Sequence, residues 1–195
     1  MEKIKKILIG THNEGKFREI SSLLPKDMEK ISPKSLNIES PIENGKTFIE
    51  NSEIKADFFC RKSNLITLSD DSGLEINCLN GEPGIFSSRW SEKFGGFDKA
   101  MTEILNRLSE KDKSAQFICS LTIQWPNGNK FSETGIIRGN ISEKKGKNGF
   151  GYDPIFIPEG YSQTFGEMDY EKKLSIDHRF IAFNKLKEKI KVYLE

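Results

Sequence analysis

The chain has 195 residues, 30 Lys and Arg against 29 Asp and Glu, a formal net charge of +1, and 35% hydrophobic residues. That length suits one domain, or one domain with two lobes, around a sizeable core. The balanced charge argues against a broad basic face for duplex nucleic acid and leaves room for a local cationic pocket. The charged start Met1-Glu2-Lys3-Ile4-Lys5-Lys6 leads into Ile7-Leu8-Ile9. That stretch is too short for a signal peptide, and no apolar run approaches the roughly 20 residues that span a bilayer. Cys60, Cys78 and Cys119 are odd in number and widely spaced. They fit reduced thiols in a cytoplasmic protein better than a disulfide frame or a zinc site.

In chain order, Ile4 to Ile9 predicts a short buried strand. It runs through Gly10-Thr11-His12-Asn13 into a helix marked by Phe17, Ile20, Leu23 and Leu24, capped by Asn13 or Thr11 and stopped by Pro25. Residues 26–46 read as polar and irregular. A second helix is expected from Thr47 to about Lys62. Leu65 to Leu68 reads as a buried strand that meets a turn at Ser69-Asp70-Asp71-Ser72-Gly73, and Leu74, Ile76 and Cys78 alternate as a strand beyond it. Residues 80–96 are glycine-rich and loop-like. A helix follows from about Phe97 to Leu108, then strands Ala115 to Trp125 and Lys130 to Arg138, joined by the hairpin signal Pro126-Asn127-Gly128-Asn129. Gly146 to Gly151 is a flexible stretch, Asp153 to Ile157 is a candidate strand, and an amphipathic helix spans about Arg179 to Tyr193. There are no internal repeats and no low-complexity linker. The pattern predicts one α/β domain over residues 1–195 with a mixed sheet and a cleft between two lobes.

Four segments carry chemistry. The strand-to-helix loop Thr11-His12-Asn13-Glu14-Gly15-Lys16 gathers hydroxyl, amide and backbone donors with a cation, which is what a triphosphate needs. It is not a Walker loop, and its plainer reading is a capped helix start with a surface lysine. Asp70-Asp71-Ser72-Gly73-Leu74 sets two adjacent acids at the end of an apolar strand, where they must be solvated, paired or bound to metal. Magnesium suits a few carboxylates plus phosphate oxygens. In an extended strand one acid faces a metal and the other the scaffold; a turn brings both inward; the plainer reading is an Asp-rich turn. Asn148-Gly149-Phe150-Gly151-Tyr152-Asp153-Pro154 offers aromatics on which a purine stacks and a carboxylate for ring N–H groups, or simply a turn with its aromatics in the core. Lys172-Lys173 with Asp177-His178-Arg179 gathers donors around the last helix start, or forms a surface cluster there.

Taken together in this order, these segments resemble the inosine triphosphate pyrophosphatase family over nearly the whole chain. The matching residues are Thr11, Asn13 and Lys16; Thr47-Phe48-Ile49-Glu50-Asn51; Asp70-Asp71-Ser72-Gly73-Leu74; Pro83-Gly84; Phe150-Gly151-Tyr152-Asp153-Pro154; Thr164-Phe165-Gly166-Glu167-Met168; and Lys173 with His178-Arg179. The resemblance implies two α/β lobes around a long mixed β-sheet with a nucleotide cleft between them, and a homodimer; the charge balance and short apolar runs point to no nucleic-acid or membrane partner, and the thiols to the cytoplasm. The resemblance further implies hydrolysis of non-standard purine nucleoside triphosphates (ITP, dITP, XTP) to the monophosphate and pyrophosphate with Mg2+, which cleanses the nucleotide pool. A broader nucleotide phosphatase and a catalytically silent nucleotide-binding module are the alternatives.

The resemblance also implies roles. Asp71 is the catalytic carboxylate, binding magnesium and taking a proton from water, and Lys16 acts with it. Thr11, Asn13 and Lys16 hold the phosphates, Ser72 touches the phosphate region, His12, Glu14 and Gly15 bind substrate beside them, and Phe150, Gly151, Tyr152 and Asp153 take ribose and base. Lys173, His178 and Arg179 complete the contacts. A further acid for the metal comes from the loop before the second helix, with Glu39 as the choice and Glu43 as the rival. One position departs from the family pattern: Asp177 stands where Ser usually precedes His-Arg.

Overall fold

The computed structural model describes residues 3–108 and 112–194, so Met1 and Glu2 of the charged start lie outside the described residues. Six strands form one mixed sheet in the order β2-β1-β3-β4-β5-β6. They are β1 (Lys6–Ile9), β2 (Glu29–Ile31), β3 (Thr67–Ile76), β4 (Ser114–Gln124), β5 (Lys130–Ile141) and β6 (Phe156–Pro158). The helices are α1 (Glu14–Leu23), α2 (Phe48–Ser63), α3 (Ser87–Phe94), α4 (Phe97–Leu108), α5 (Tyr170–Leu174) and α6 (His178–Leu194). This is the α/β class with a mixed sheet that the sequence predicts. The three cysteines are free thiols. Among the described residues, no helix is long and apolar enough to cross a membrane.

The chain divides into two compact units. The first comprises Met1–Asp71, Cys119–Gly135 and Arg179–Glu195. Here β1 pairs in parallel with β2, Ile7 opposite Lys30, and with β3, Ile9 opposite Leu68. Asn13 caps α1, its side chain accepting the Lys16 amide, and Leu24 ends the helix in extended geometry, as a residue before proline must. Thr47 caps α2 by accepting the Glu50 amide at 3.2 Å, and the Glu50 carboxylate accepts the Lys46 amide in return. Ile7, Ile9, Ile20, Leu68 and Leu121 pack with Ala182, Phe183, Leu186 and Ile190 of α6. The α6 positions recur at i, i+1, i+4 and i+8, one helix face, and each large side chain so buried stabilises by roughly 1.5–3 kcal/mol.

The second unit comprises Ser72–Ile118 and Ile136–His178. Strand β6 pairs antiparallel with β5, Ile141 opposite Phe156. Leu74, Ile76, Met101, Ile104, Phe117, Tyr152, Phe156 and Phe165 form its core. Ala100, Met101, Ile104 and Leu108 of α4 repeat the same one-face spacing.

Four local features differ from the sequence reading. The supposedly irregular segment 26–46 contains β2, whose three residues pair with β1; so short a strand leaves no alternation to read. The glycine-rich stretch 80–96 contains α3, an eight-residue helix hidden among Gly81, Gly84, Gly95 and Gly96. No turn interrupts Ser69 to Gly73, and β3 runs straight through. Gly73 fits there because backbone approaches it closely: a Cβ would sit 2.3 Å from the Gly84 carbonyl oxygen. Last, Asp153–Ile155 is a 3-10 turn and only Phe156–Pro158 is strand. Pro154 has no N–H for a ladder, and the Asp153 carboxylate closes the turn by accepting the Phe150 amide at 2.8 Å.

Candidate active site

Because β3 is extended through both acids, Asp70 and Asp71 project to opposite faces of the strand. Asp70 is buried and receives two cations. Lys16 Nζ, from the first turn of α1, lies 3.2 Å from its Oδ2, and Arg179 Nε, from the start of α6, lies 3.5 Å away. Arg179 Nη1 in turn donates to Glu19 Oε2 at 2.7 Å, with both side chains almost wholly buried. Burial opposes the charge on Asp70, but Lys16, Arg179 and Lys55 outweigh it and hold the carboxyl at about 2. Asp70 is therefore a permanent anion that fixes the Lys16 ammonium.

Asp71 faces α2. Asn51 Nδ2 donates to Asp71 Oδ2 at 3.1 Å, while Asn51 Oδ1 accepts the Gly45 amide at 2.8 Å. That second bond fixes which end of the amide faces the acid. Lys55 Nζ lies 3.4 Å from Asp71 Oδ1 and 2.6 Å from Glu43 Oε2. Burial pushes the Asp71 carboxyl up, further raised by Glu43 and Asp70 and only partly offset by Lys55 and Lys16. Burial acts against the Lys55 ammonium, yet Asp71, Glu43 and Asp70 prevail and hold its pKa above the ordinary lysine value. Lys16, Asp70, Asp71, Lys55 and Glu43 thus form one electrostatically linked group in the first unit.

The opening loop lies beside this group. Thr11 Oγ1 accepts the Asn13 amide at 3.2 Å, and Asn13 Oδ1 accepts the Lys16 amide at 3.0 Å. His12 Nδ1 meets Ser40 Oγ at 2.7 Å, and its ring lies 5.9 Å from that of Phe59. His12, Asn13 and Glu14 are exposed, Thr11 and Gly15 half-buried, and Ser72 follows Asp71 half-buried on β3.

In the second unit, Asp153 and Lys173 are both buried and paired at 2.8 Å. The Lys173 ammonium stands 4.9 Å over the half-buried Phe150 ring. Gly151 turns the chain between the two aromatics. The Tyr152 ring belongs to the core: it is 2% exposed, its hydroxyl donates to the Ser87 carbonyl at 2.9 Å, and burial pushes its phenol up. Of the two aromatics expected to meet a base, only Phe150 remains partly open. His178 is buried, stacked on Phe117 at 4.8 Å.

The structure thus brings Lys16, Asp71 and Arg179 together in the first unit, and Phe150, Asp153 and Lys173 in the second. Glu39 is exposed, and the carboxylate that reaches Lys55 is Glu43. Arg179, expected at the base or phosphates, is buried against Glu19 and Asp70. Sequence reasoning missed Lys55 and Glu19, and gave Asn51 no role beyond its place in a matching segment. Their signal was present as polar residues on buried helical faces: Asn51 and Lys55 one turn apart among Phe48, Ala56 and Phe59, and Glu19 beside Ile20.

The fold and site define an α/β protein in which fixed lysines and a buried, cation-flanked acid meet at a strand-to-helix loop. Residues 7–189 match the Ham1 family, and the chain belongs to it. It is 41% identical over 187 residues to a dITP/XTP pyrophosphatase of Zymomonas mobilis, covering 93% of this chain and 90% of that one. It is also 41% identical over 186 residues to a dITP/XTP pyrophosphatase of Caulobacter vibrioides, covering 93% and 96%. Among solved structures, the Staphylococcus aureus Ham1 protein superposes with a TM-score of 0.85 at 34% identity, over 96% of this chain and 99% of that one. A HAM1 protein from Coxiella burnetii gives 0.86 at 34% identity, over 96% and 98%.

Proposed function

We propose that this chain, as one domain over residues 1–195, is a nucleoside-triphosphate pyrophosphatase that hydrolyses ITP, dITP and XTP to the monophosphate and pyrophosphate. The observation that carries the reading is Asp71: a buried carboxylate of raised pKa, oriented by Asn51 and flanked by Lys55 and Lys16. A general base works best with a pKa moved toward the working pH, and this environment moves it that way.

The donor set fits magnesium. Asp71 and Glu43 offer hard carboxylate oxygens drawn to the same cation, Lys55. Among the described residues, no group of three or more His, Cys, Asp or Glu forms a metal cage. Magnesium needs none, since it binds through one or two carboxylates together with substrate phosphates. When bound, it neutralises polyphosphate charge. Lys16, held by Asp70, and the donors of the Thr11–Lys16 loop bind the phosphates. Asp71 orients a water for attack at the α-phosphorus and accepts its proton as pyrophosphate leaves. Phe150 and Lys173 receive the purine. A buried donor at the base pairs with a 6-carbonyl and is left unmatched by an amino group, a difference of about 1–3 kcal/mol against adenine.

Incubation of purified protein with ITP and magnesium tests the reading. IMP and pyrophosphate are expected. Orthophosphate as product would support a broader phosphatase, and binding without turnover a silent module. The working form is taken to be a cytoplasmic homodimer, which the family resemblance supports and sedimentation equilibrium tests for the dimer.

A further inference from the structure

Asn51 lies in the first turn of α2, is 2% exposed, and has both ends of its side-chain amide engaged. Its Nδ2 donates to Asp71 Oδ2 at 3.1 Å, and its Oδ1 accepts the Gly45 amide at 2.8 Å. Two residues before Gly45, Glu43 Oε2 meets Lys55 Nζ at 2.6 Å, and that ammonium lies 3.4 Å from Asp71 Oδ1. Loop, helix and strand thus close a ring: Gly45 to Asn51, Asn51 to Asp71, Asp71 to Lys55, and Lys55 back to Glu43. Position 45 admits no side chain. A Cβ there would lie 2.6 Å from Asn51 Oδ1 and 2.9 Å from the Asn51 backbone nitrogen. Glycine is what lets the loop approach closely enough for its amide to reach Asn51. The two oxygens of Asp71 are thereby unlike. Oδ2 takes a bond of ordinary length from an amide anchored at its other end. Oδ1 faces Lys55 at 3.4 Å, beyond the roughly 2.7–3.2 Å of a firm hydrogen bond, and is the looser of the two.

We propose that Asn51 is a positioning residue for the hydrolysis, tying the Glu43 loop to Asp71 so that both carboxylates are aimed together, with Gly45 required for the tie. The proposal rests on the function proposed above and deepens it. Asn51 acts through Asp71: it keeps Oδ2 occupied and leaves Oδ1 to the attacking water. A displacement of about 1 Å at a reacting group can cost roughly 100-fold in rate, so a strut that holds the carboxylate from behind matters to turnover more than to substrate binding.

The test compares the wild type with N51L, G45A and the double variant. Leucine is close to asparagine in size and removes both bonds. G45A sits in the half-buried loop and reaches Asn51 without entering the core, so it reports even if N51L fails to fold. Each single change is expected to lower kcat for ITP by about 10- to 100-fold, with KM within about threefold of wild type. The double variant is expected to be no slower than N51L, because both changes cut the same tie. Single variants that fold and keep the wild-type kcat overturn the assignment, and so does a double variant whose loss is the product of the two single losses. A second readout needs neither turnover nor metal. Hydrogen exchange at the Gly45 amide of the unliganded protein is expected to quicken about tenfold in N51L, and also in D71A, where Asn51 loses its other anchor. Unchanged exchange in either variant overturns the tie. If the wild type releases no IMP from ITP, the hydrolase reading fails, and the exchange rates alone decide whether Asn51 joins the loop to Asp71.

Discussion

Asp70 and Asp71 are adjacent on β3 and have opposite proton affinities. Lys16 and Arg179 hold the first carboxyl at about 2 against burial, while burial outweighs Lys55 and Lys16 at the second and pushes it above the ordinary value. The extended strand is the cause. It sends the two acids to opposite faces, one toward α1 and α6 and the other toward α2. One carboxylate is thereby a fixed counter-ion, and its neighbour is the more readily protonated of the two.

Asp71→Asn keeps the shape and the Asn51 contact region but removes the proton acceptor. kcat for ITP hydrolysis is expected to fall by about 100- to 10,000-fold with KM changed far less. A steady-state assay checks it, and full turnover in the variant would remove Asp71 from the chemistry.

Lys55→Met deletes the main cation opposing the burial of Asp71. The Asp71 pKa then rises further. A base works when deprotonated, so activity is present above that pKa, and the acidic limb of the kcat/KM profile should move to higher pH. A limb that stays in place, or moves to lower pH, would show that it does not report Asp71.

Asp70 binds its proton more weakly in the folded chain than in the unfolded one, at about 2 against 3.8. Its contribution to stability is therefore complete above the unfolded value and is lost as pH falls through the folded one. The size is roughly 2 kcal/mol across that window. Urea unfolding of wild type and Asp70→Asn from neutral pH down to about 2 should give a stability difference that shrinks in that window. A difference constant with pH would mean that the ion pairs of Asp70 do not stabilise the fold.

Gly149 has φ of +73°, and a Cβ there would lie 2.1 Å from Asp153 Oδ2. Gly149→Ala must displace the carboxylate that holds Lys173 and caps the Phe150 amide. On the proposed base site at Phe150 and Lys173, KM for ITP is expected to rise about tenfold or more with a smaller change in kcat. Unchanged KM would take Asp153 out of substrate binding.

The sequence by itself determined much of this protein. Asn13 or Thr11 ahead of a 3.6-residue apolar period marked the start of α1, Thr47 marked that of α2, and a helix over Phe97 to Leu108 was legible as α4. These signals are local, carried by residues within a turn or two of one another. The ordered motifs likewise singled out Lys16, Asp71, Asp153 and Lys173. Tertiary structure alone decided the rest. Only pairing within the sheet carries β3 through a stretch whose Asp-Asp-Ser-Gly composition favours a turn, and that decides which face each acid takes. Only folding brings Lys55 to Asp71 across 16 positions and Arg179 to Glu19 across 160. Only folding prefers Glu43 to Glu39 as the acid beside Lys55. An ion pair between distant segments has no periodicity to betray it. Its partners are set by which backbone faces meet, and its proton affinities by how much water the meeting excludes.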